Sequence, residues 1–542
     1  MSTAAGDGLR HLHEGRYDTD AHGLLLGVSP GRSLSDPPRL TRVASSRLAF
    51  RRALPAWLST LPRAGGLPSN PPTYFLAVLG GGLLRIVRLL MIVFAITLFP
   101  QYSVAANFYV RADATGLNNG SDWQNAWTTL PTILSRSSVY YVADGIYGIY
   151  VFDDPTNGFQ YIEIRKATAS DHGTDVGWAS AYGDGVAYWG ELSFQTSYYI
   201  FDGVKGYGRD VEVYGFQQNF TGRSSPAKAL DIDGDFITIR HLKSYWDNRD
   251  DPTEVQSRWL EATTGSPTNV TVSYCYIKEL PGLPFYFIAS SNVLVEYVVM
   301  EGMHSDPTYH AEIASIRGLT NLTVRYSWFI DGTGTGGWMS MEGNNTDWKI
   351  YGNVFEQTPK GIGYGHGTFA DNMQPGTVTG GLFYNNTVAN HTSGWRSGLS
   401  FWAATSPLES RNNICRNSNA FGNLGVDVAS HNYLSSCPAD SEFNTTIESI
   451  LQRDSLDPFV HSARDNDVAI TDWQLSGTNV PNAGYALPAP YNESCINRLW
   501  QGPNASCITR GADGHWDRGA IEHVQGSDRP GPPANLRISS YQ

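Results

Sequence analysis

Between Asn269 and Val388 the chain repeats one pattern of polar and apolar positions. Its copies are Asn269-Val-Thr-Val-Ser-Tyr-Cys-Tyr-Ile277, Asn292-Val-Leu-Val-Glu-Tyr-Val-Val-Met300, Asn321-Leu-Thr-Val-Arg-Tyr-Ser-Trp-Phe329 and Asp347-Trp-Lys-Ile-Tyr-Gly-Asn-Val-Phe355. Each begins with Asn or Asp, alternates apolar and polar residues, takes a polar or aromatic step, and closes on a bulky apolar residue. Gly381 to Val388 is a fifth copy and Leu408 to Cys415 a weaker sixth. Alternation of period two predicts strands, not helices. Recurrence at roughly 25 residues predicts a solenoid whose units bury their apolar face against their neighbours.

Parallel strands lie about 4.8 Å apart, so equivalent residues of successive coils stack. Val270/Val272, Val293/Val295, Leu322/Val324 and Trp348/Ile350 are placed inside, as are Ile277, Met300, Phe329, Phe355 and Val388. Between them runs the row Cys275, Val298, Ser327, Asn353, Asn386, Asn413, whose later members predict an internal Asn ladder, since buried amides need partners. Tyr274, Tyr297 and Tyr326 stack outside, and Glu296 falls beside Arg325 as a surface ion pair.

The pattern resembles the right-handed parallel β-helix proteins of the pectate-lyase-like superfamily. The opening Asn107-Phe-Tyr-Val-Arg-Ala-Asp-Ala-Thr-Gly-Leu-Asn-Asn-Gly-Ser-Asp-Trp-Gln-Asn-Ala-Trp127 is similar to the entry segment of secreted bacterial members, and Asp517-Arg-Gly-Ala-Ile-Glu522 to their closing segment. The resemblance implies an all-β, right-handed parallel β-helix over residues 107–525, with a short N-terminal cap and irregular C-terminal loops. It says little about activity, because the superfamily holds lyases, hydrolases, epimerases and non-catalytic adhesins.

Other segments read differently. Residues 1–82 are rich in Arg, Pro, Gly and Ser, contain no Lys and show no period; a disordered or non-native upstream extension is expected there. Arg85 and Arg88, the apolar run Leu89 to Phe99 and Ser103-Val-Ala-Ala106 predict a signal peptide over residues 83–106, cleaved near Ala106, with an uncleaved anchor as the alternative reading. That run falls short of the ~20 apolar residues of a membrane span. Trp123 to Leu134 is expected as a short capping helix, residues 167–197 as a loop, and residues beyond Asn419 as irregular. Residues 526–542 read as a Pro-rich linker or the truncated start of a following module.

Composition narrows the partner. The chain has 542 residues and a formal net charge of −13, with 56 Gly, 29 Tyr, 15 Trp and 16% charged residues. An acidic balance excludes nucleic acid, which needs a basic footprint; aromatics suit the C–H faces of sugars. Five Cys fit an oxidising compartment: Cys495 with Cys507 and Cys415 with Cys437 are the expected disulfides, and Cys275 a buried free thiol. A secreted or cell-surface monomer acting on polysaccharide is the expectation.

Polar chemistry concentrates in residues 304–366. Uronate lysis needs a cation to neutralise the carboxylate, a base for the C5 proton and an acid for the leaving oxygen. His310 or Lys360 is the candidate base, Arg317 the neutraliser and Glu342 a ligand or orienter, with Trp338, Glu312, His366, Asp331 and His304 as substrate contacts. Bland readings stand beside these: Arg317–Glu342 as a structural pair, His310 and Glu312 as turn caps. No spacing looks like a zinc site; the metal is unknown and calcium is a candidate cofactor only. Gly365-His-Gly367 is present, but the other motifs of polygalacturonase-type hydrolases and the Arg-x-Pro-x-x-Arg of pectate lyases are not. The expected function is a polysaccharide lyase on uronate glycan. A glycoside hydrolase or a non-catalytic glycan-binding adhesin on the same fold is the alternative.

Overall fold

The structure is a computed structural model. It describes residues 105–209, 214–247, 256–303, 312–332, 338–358, 368–369, 378–391, 398–401, 408–418, 420–423, 428–437, 452–454, 484–512 and 516–522. All of them lie in the compact unit Pro100–Gln542.

The template has a backbone origin. Its first residue sits at positive φ in copy after copy: Asn269 at 60°, Asn292 at 54°, Asn321 at 59° and Asp347 at 55°. Asn and Asp tolerate this left-handed region better than other side chains do. The polar or aromatic step is a second left-handed corner, at Tyr274, Tyr297, Tyr326, Gly352, Asn385 and Asn412. Two corners at fixed spacing turn the chain into and out of each strand, so every copy bends alike and lands above the last.

Three columns of parallel strands result. The first runs from Asn107–Val110 through Ile237–Arg240, Thr268–Ser273, Ser291–Glu296 and Thr320–Arg325 to Val428–Ser430. The second stacks Phe216–Asn219, Leu242–Tyr245, Tyr276–Leu280, Val299–Met303, Trp328–Ile330 and onward to Tyr433–Ser435. The third stacks Lys228–Ile232, Arg258–Ala262, Leu283–Ile288, Ala314–Arg317 and Met339–Glu342. The long strand Ala187–Phe194 feeds both the second and the third. This is a parallel β-helix, right-handed as parallel crossovers are.

The interior follows the sequence register. Val270, Val272, Val293, Val295, Leu322, Val324 and Ile350 are buried, with Ile277, Met300, Phe329, Phe355 and Val388 across from them. The Asn ladder forms: Asn353 Nδ2 donates to Asn386 Oδ1 (3.1 Å), Asn386 Nδ2 to Asn413 Oδ1 (3.2 Å) and Asn413 Nδ2 to Asn432 Oδ1 (3.0 Å). It runs one coil beyond its expected end, and Val428–Ser430 and Tyr433–Ser435 continue the stack past Asn419. Cys275 is buried among apolar groups, which pushes its thiol up to about 12.

Two expectations are corrected. No helix forms over 123–134; the segment is a loop that bridges Val110 through Trp127 and buries Trp123, whose indole donates to the His172 carbonyl (2.9 Å). Nor is 167–197 all loop: Ala187–Phe194 is a strand, held by Trp189, Leu192 and Phe194 facing inward.

The tyrosine row stacks as its register requires, with ring centroids 4.7 Å apart for Tyr274–Tyr297 and 5.6 Å for Tyr297–Tyr326. Arg325 also pairs with Glu296 at 2.6 Å. Yet Tyr297 and Tyr326 are not on the surface. Residues of 484–522 lie over them: Arg498 donates to the Tyr297 hydroxyl, and Tyr326 donates to the Glu493 carbonyl.

Candidate functional site

The outward face of the second column carries two parallel rows of side chains. One reads Tyr188, Gln217, Lys243, Tyr276; the other reads Asn219, Tyr245, Lys278, Glu301. Alternation in the strand sets this exposure. In Leu242–Tyr245, Leu242 and Ser244 turn inward, which leaves Lys243 and Tyr245 outside. A groove of about 600 Å³ opens over these rows, lined by Val186, Tyr188, Gln217, Lys243, Tyr245 and Lys278, with Thr221, Trp246 and Asp247 as a side wall.

Lys243 is largely buried, 4% exposed, yet lines the groove. Its ammonium lies 4.8 Å from the Tyr245 ring centroid and 5.7 Å from that of Tyr276, so two aromatic faces stabilise the charge. Burial pushes the Tyr245 phenol up from its ordinary value and keeps it protonated. Trp246 stacks on Phe220 at 4.7 Å, and the Asp247 carboxylate accepts the Gly222 N–H, fixing the side wall.

The next coil closes the floor. Tyr276 donates to Glu301 Oε2 (2.7 Å), and Arg209 grips the same carboxylate at 3.0 and 2.7 Å. Burial pushes the Glu301 carboxyl up, but the Arg209 guanidinium and the Tyr276 hydrogen bond outweigh it and hold the group below the usual carboxylate range. Arg209 also lies over the Trp328 indole at 5.2 Å.

The residues singled out by sequence distribute differently. Arg317 is exposed, stands in register with Glu342, and has its guanidinium 5.6 Å from the Tyr286 ring centroid. Ser315 and Ser340 align as the repeat requires. Glu312 is interior at 1% exposure. Asp331 accepts the Gln357 amide, the Thr358 N–H and the Thr358 hydroxyl, so both its oxygens are bonded to the following coil. Trp338, expected to contact substrate, is fully buried against Phe355. It offers no face to a sugar. His304, His310, Lys360 and His366 lie outside the described residues.

Lys243, Tyr245 and Lys278 escaped the sequence reading. Continuing each template one residue past its bulky closing position would have found the row Lys278, Glu301, Ile330, Glu356. Both expected disulfides are present, Cys415–Cys437 and Cys495–Cys507, with Cα separations of 6.0 and 4.3 Å. Glu493, Cys495 and Cys507 are the one close group of potential metal donors among the described residues, and both its sulfurs are tied in the disulfide. Calcium takes six to eight oxygens. The described groove presents Asp247 as its one carboxylate, with Gln217, Thr221 and the tyrosines as the other oxygen-bearing side chains beside lysines, Trp246 and Val186, which is not such a cage.

The two segments that carried the family resemblance occupy the places it implies. Asn107–Val110 opens the first column. Asp517 to Glu522 is packed on the late coils: Gly519 N–H donates to the Asn412 carbonyl, Ala520 N–H to Thr387 Oγ1, and Arg510 pairs with Glu522 at 2.9 Å inside the protein. The chain is a parallel β-helix.

No protein-family model matches this β-helix, and no curated protein matches it. Among solved structures it is similar to the pectate lyase Pel9A at 14% identity, over 78% of this chain and 98% of that one, with a TM-score of 0.40. It is also similar to the PL6 family alginate lyase AlyGC at 13% identity, over 64% and 55%, with a TM-score of 0.26. Strand pairing, rather than these low scores, establishes the fold. No helix among the described residues is long and apolar enough to cross a membrane.

Proposed function

We propose that this β-helix is a secreted polysaccharide lyase that cleaves a uronate-containing glycan in the groove over Lys243. The observation that carries the reading is a pair of lysines on adjacent rungs, framed by tyrosines, along an open outward column. A buried ammonium beside aromatic faces suits a sugar carboxylate. Lys243 neutralises that carboxylate and so acidifies the C5 proton. The Lys278 amine takes the proton. The C4–O bond then breaks as a C4–C5 double bond forms, and the departing oxygen receives the Tyr245 phenol proton. Hydrolysis needs two carboxylates about 5–9.5 Å apart across the bond; the described lining has Asp247 alone, which favours elimination. Two disulfides agree with an oxidising, extracellular setting.

Incubation with pectate and with alginate, followed by ultraviolet absorbance of the unsaturated sugar end, tests the reading. Growth of that absorbance with wild type and its loss in Lys243→Ala support it. Release of saturated sugars would favour a hydrolase, and retention on the polymer without turnover would favour a binding protein.

A further inference from the structure

Beyond the groove's lining residues, the outward rows of the second column differ in kind on the two sides. Toward the first coils the floor continues from Lys243 through Gln217 and Tyr188 to Ile146, each in register with the next. Ile146 is 77% exposed, and Ile149 beside it 68%. Three rungs of about 4.8 Å give this floor a run of roughly 14 Å beyond Lys243.

Toward the later coils the floor stops one rung after Lys243. After Tyr199–Asp202 the described residues 203–209 do not run straight to the next strand. They climb along the stack far enough for Arg209 to reach Glu301 and the Trp328 ring. Tyr214, fully buried, donates to the Gly208 carbonyl (2.8 Å) and packs against Tyr276 at 6.3 Å. A Cβ at Gly208 would run into the Leu499 carbonyl, and one at Gly502 would touch Tyr207, so this excursion abuts 499–502 without a gap. The disulfide Cys495–Cys507 closes the chain around that helical turn, Arg498–Gln501.

We propose that the groove binds its glycan by a chain end. The terminal acidic unit sits at Lys243 and Lys278 against the wall of Tyr276, Arg209 and Tyr214, and the rest of the chain leaves over Tyr188 and Ile146. This rests on the acidic-glycan reading above and adds to it a direction and a mode of attack: short products are taken from ends, not from the middle of the polymer. Arg209 and Glu301 are specificity-determining positioning residues, since their pairing closes the groove rather than touching the scissile bond.

The test follows viscosity and product size together, on pectate and on alginate. Wild type is expected to release one short unsaturated product from the first turnovers while viscosity falls slowly. The double variant Arg209→Ala/Glu301→Gln, which removes the wall without leaving a lone buried charge, is expected to give mixed product lengths and a several-fold faster viscosity loss per bond broken. Rapid viscosity loss with mixed products from wild type overturns end recognition and leaves the lyase reading standing; this arm needs no variant. Neither turnover nor retention on either polymer overturns the acidic-glycan reading and end recognition with it.

Discussion

The second column's outward face is built alike along its length and finished in two ways. On the strands Leu242–Tyr245 and Tyr276–Leu280 it presents lysine and tyrosine to an open groove. On later rungs it presents Val299, Trp328, Ile330, Val354, Ile414 and Tyr433, all buried beneath Leu487, Tyr491, Ile496, Leu499, Ala520 and Ile521. Parallel strands supply the same backbone in both halves, so side chains alone decide which half is covered. An outward row of apolar residues calls for a lid from elsewhere in the chain. An outward row mixing cations with aromatics leaves room for a ligand whose surface is also both charged and apolar.

The largest expected effect separates the open half from its rival. Lys243→Ala is expected to lower kcat by about 10²–10⁴-fold, the range typical of a lost acid, base or charge partner, while circular dichroism keeps its β-sheet signal. Arg317→Ala, on the neighbouring column, is expected to leave kcat within about twofold. The reverse outcome would move the site to the third column, where sequence first placed it. Because burial holds Tyr245 protonated, kcat/KM should persist through the ordinary tyrosine range, about 10. It should fall only where the raised tyrosine ionises.

The covered half is probed through its lid. Arg510 and Glu522 are 0% and 2% exposed at their side chains, and Arg510 also donates to the Gly519 and Ala520 carbonyls. Arg510→Ala strands the Glu522 carboxylate inside and is expected to destabilise by about 3–5 kcal/mol, read from urea unfolding. If the loss stays under about 1 kcal/mol, the lid is not integral to the covered half.

The boundary between the halves has its own signature. The Glu301 carboxyl is depressed in the folded protein, so the stability it contributes is present above the ordinary glutamate value, about 4.3. That stability is lost as pH falls from there through the lower folded value. Glu301→Gln paired with Arg209→Ala should therefore flatten the stability–pH profile below about 4.3 relative to wild type. An unchanged slope would exclude the Arg209–Glu301 pair as the source.

The columns were legible because period and corner are both written in residue types. Asn269, Asn292 and Asn321 mark a left-handed corner, and Val270/Val272 and their counterparts mark the inside. The lid was not legible as a lid. Residues such as Tyr491, Ile496 and Leu499 follow no period, and their partners Tyr297, Trp328 and Val354 stand far away along the chain. For the same reason Tyr297 and Tyr326 looked like surface and are not. At the site, His/Asp/Glu density drew attention to 304–366, but density ignores direction: Glu312 and Trp338 turn inward, whereas two isolated lysines share a groove only because Lys243 and Lys278 fall on adjacent rungs.

The two Asn rows give the smallest and most discriminating contrast. Inside, Asn386 accepts from Asn353 through both amides and donates to the Ile350 carbonyl and Asn413 Oδ1. Asn386→Ala strands several buried groups and is expected to destabilise on the order of 3–5 kcal/mol. Outside, Asn292 donates to Asn269 Oδ1 (3.3 Å) and accepts from Asn321 (2.8 Å), but these bonds are exposed and water replaces them. What Asn292 supplies is its φ of 54°. Asn292→Gly keeps that angle and is expected to change stability by less than about 0.5 kcal/mol, whereas Asn292→Ala must strain into it and should be destabilising by about 1 kcal/mol. Equal effects of Gly and Ala would mean that the outer row, like the inner one, is held for its hydrogen bonds; the expected split assigns the outer asparagines to the turn and the inner ones to the core.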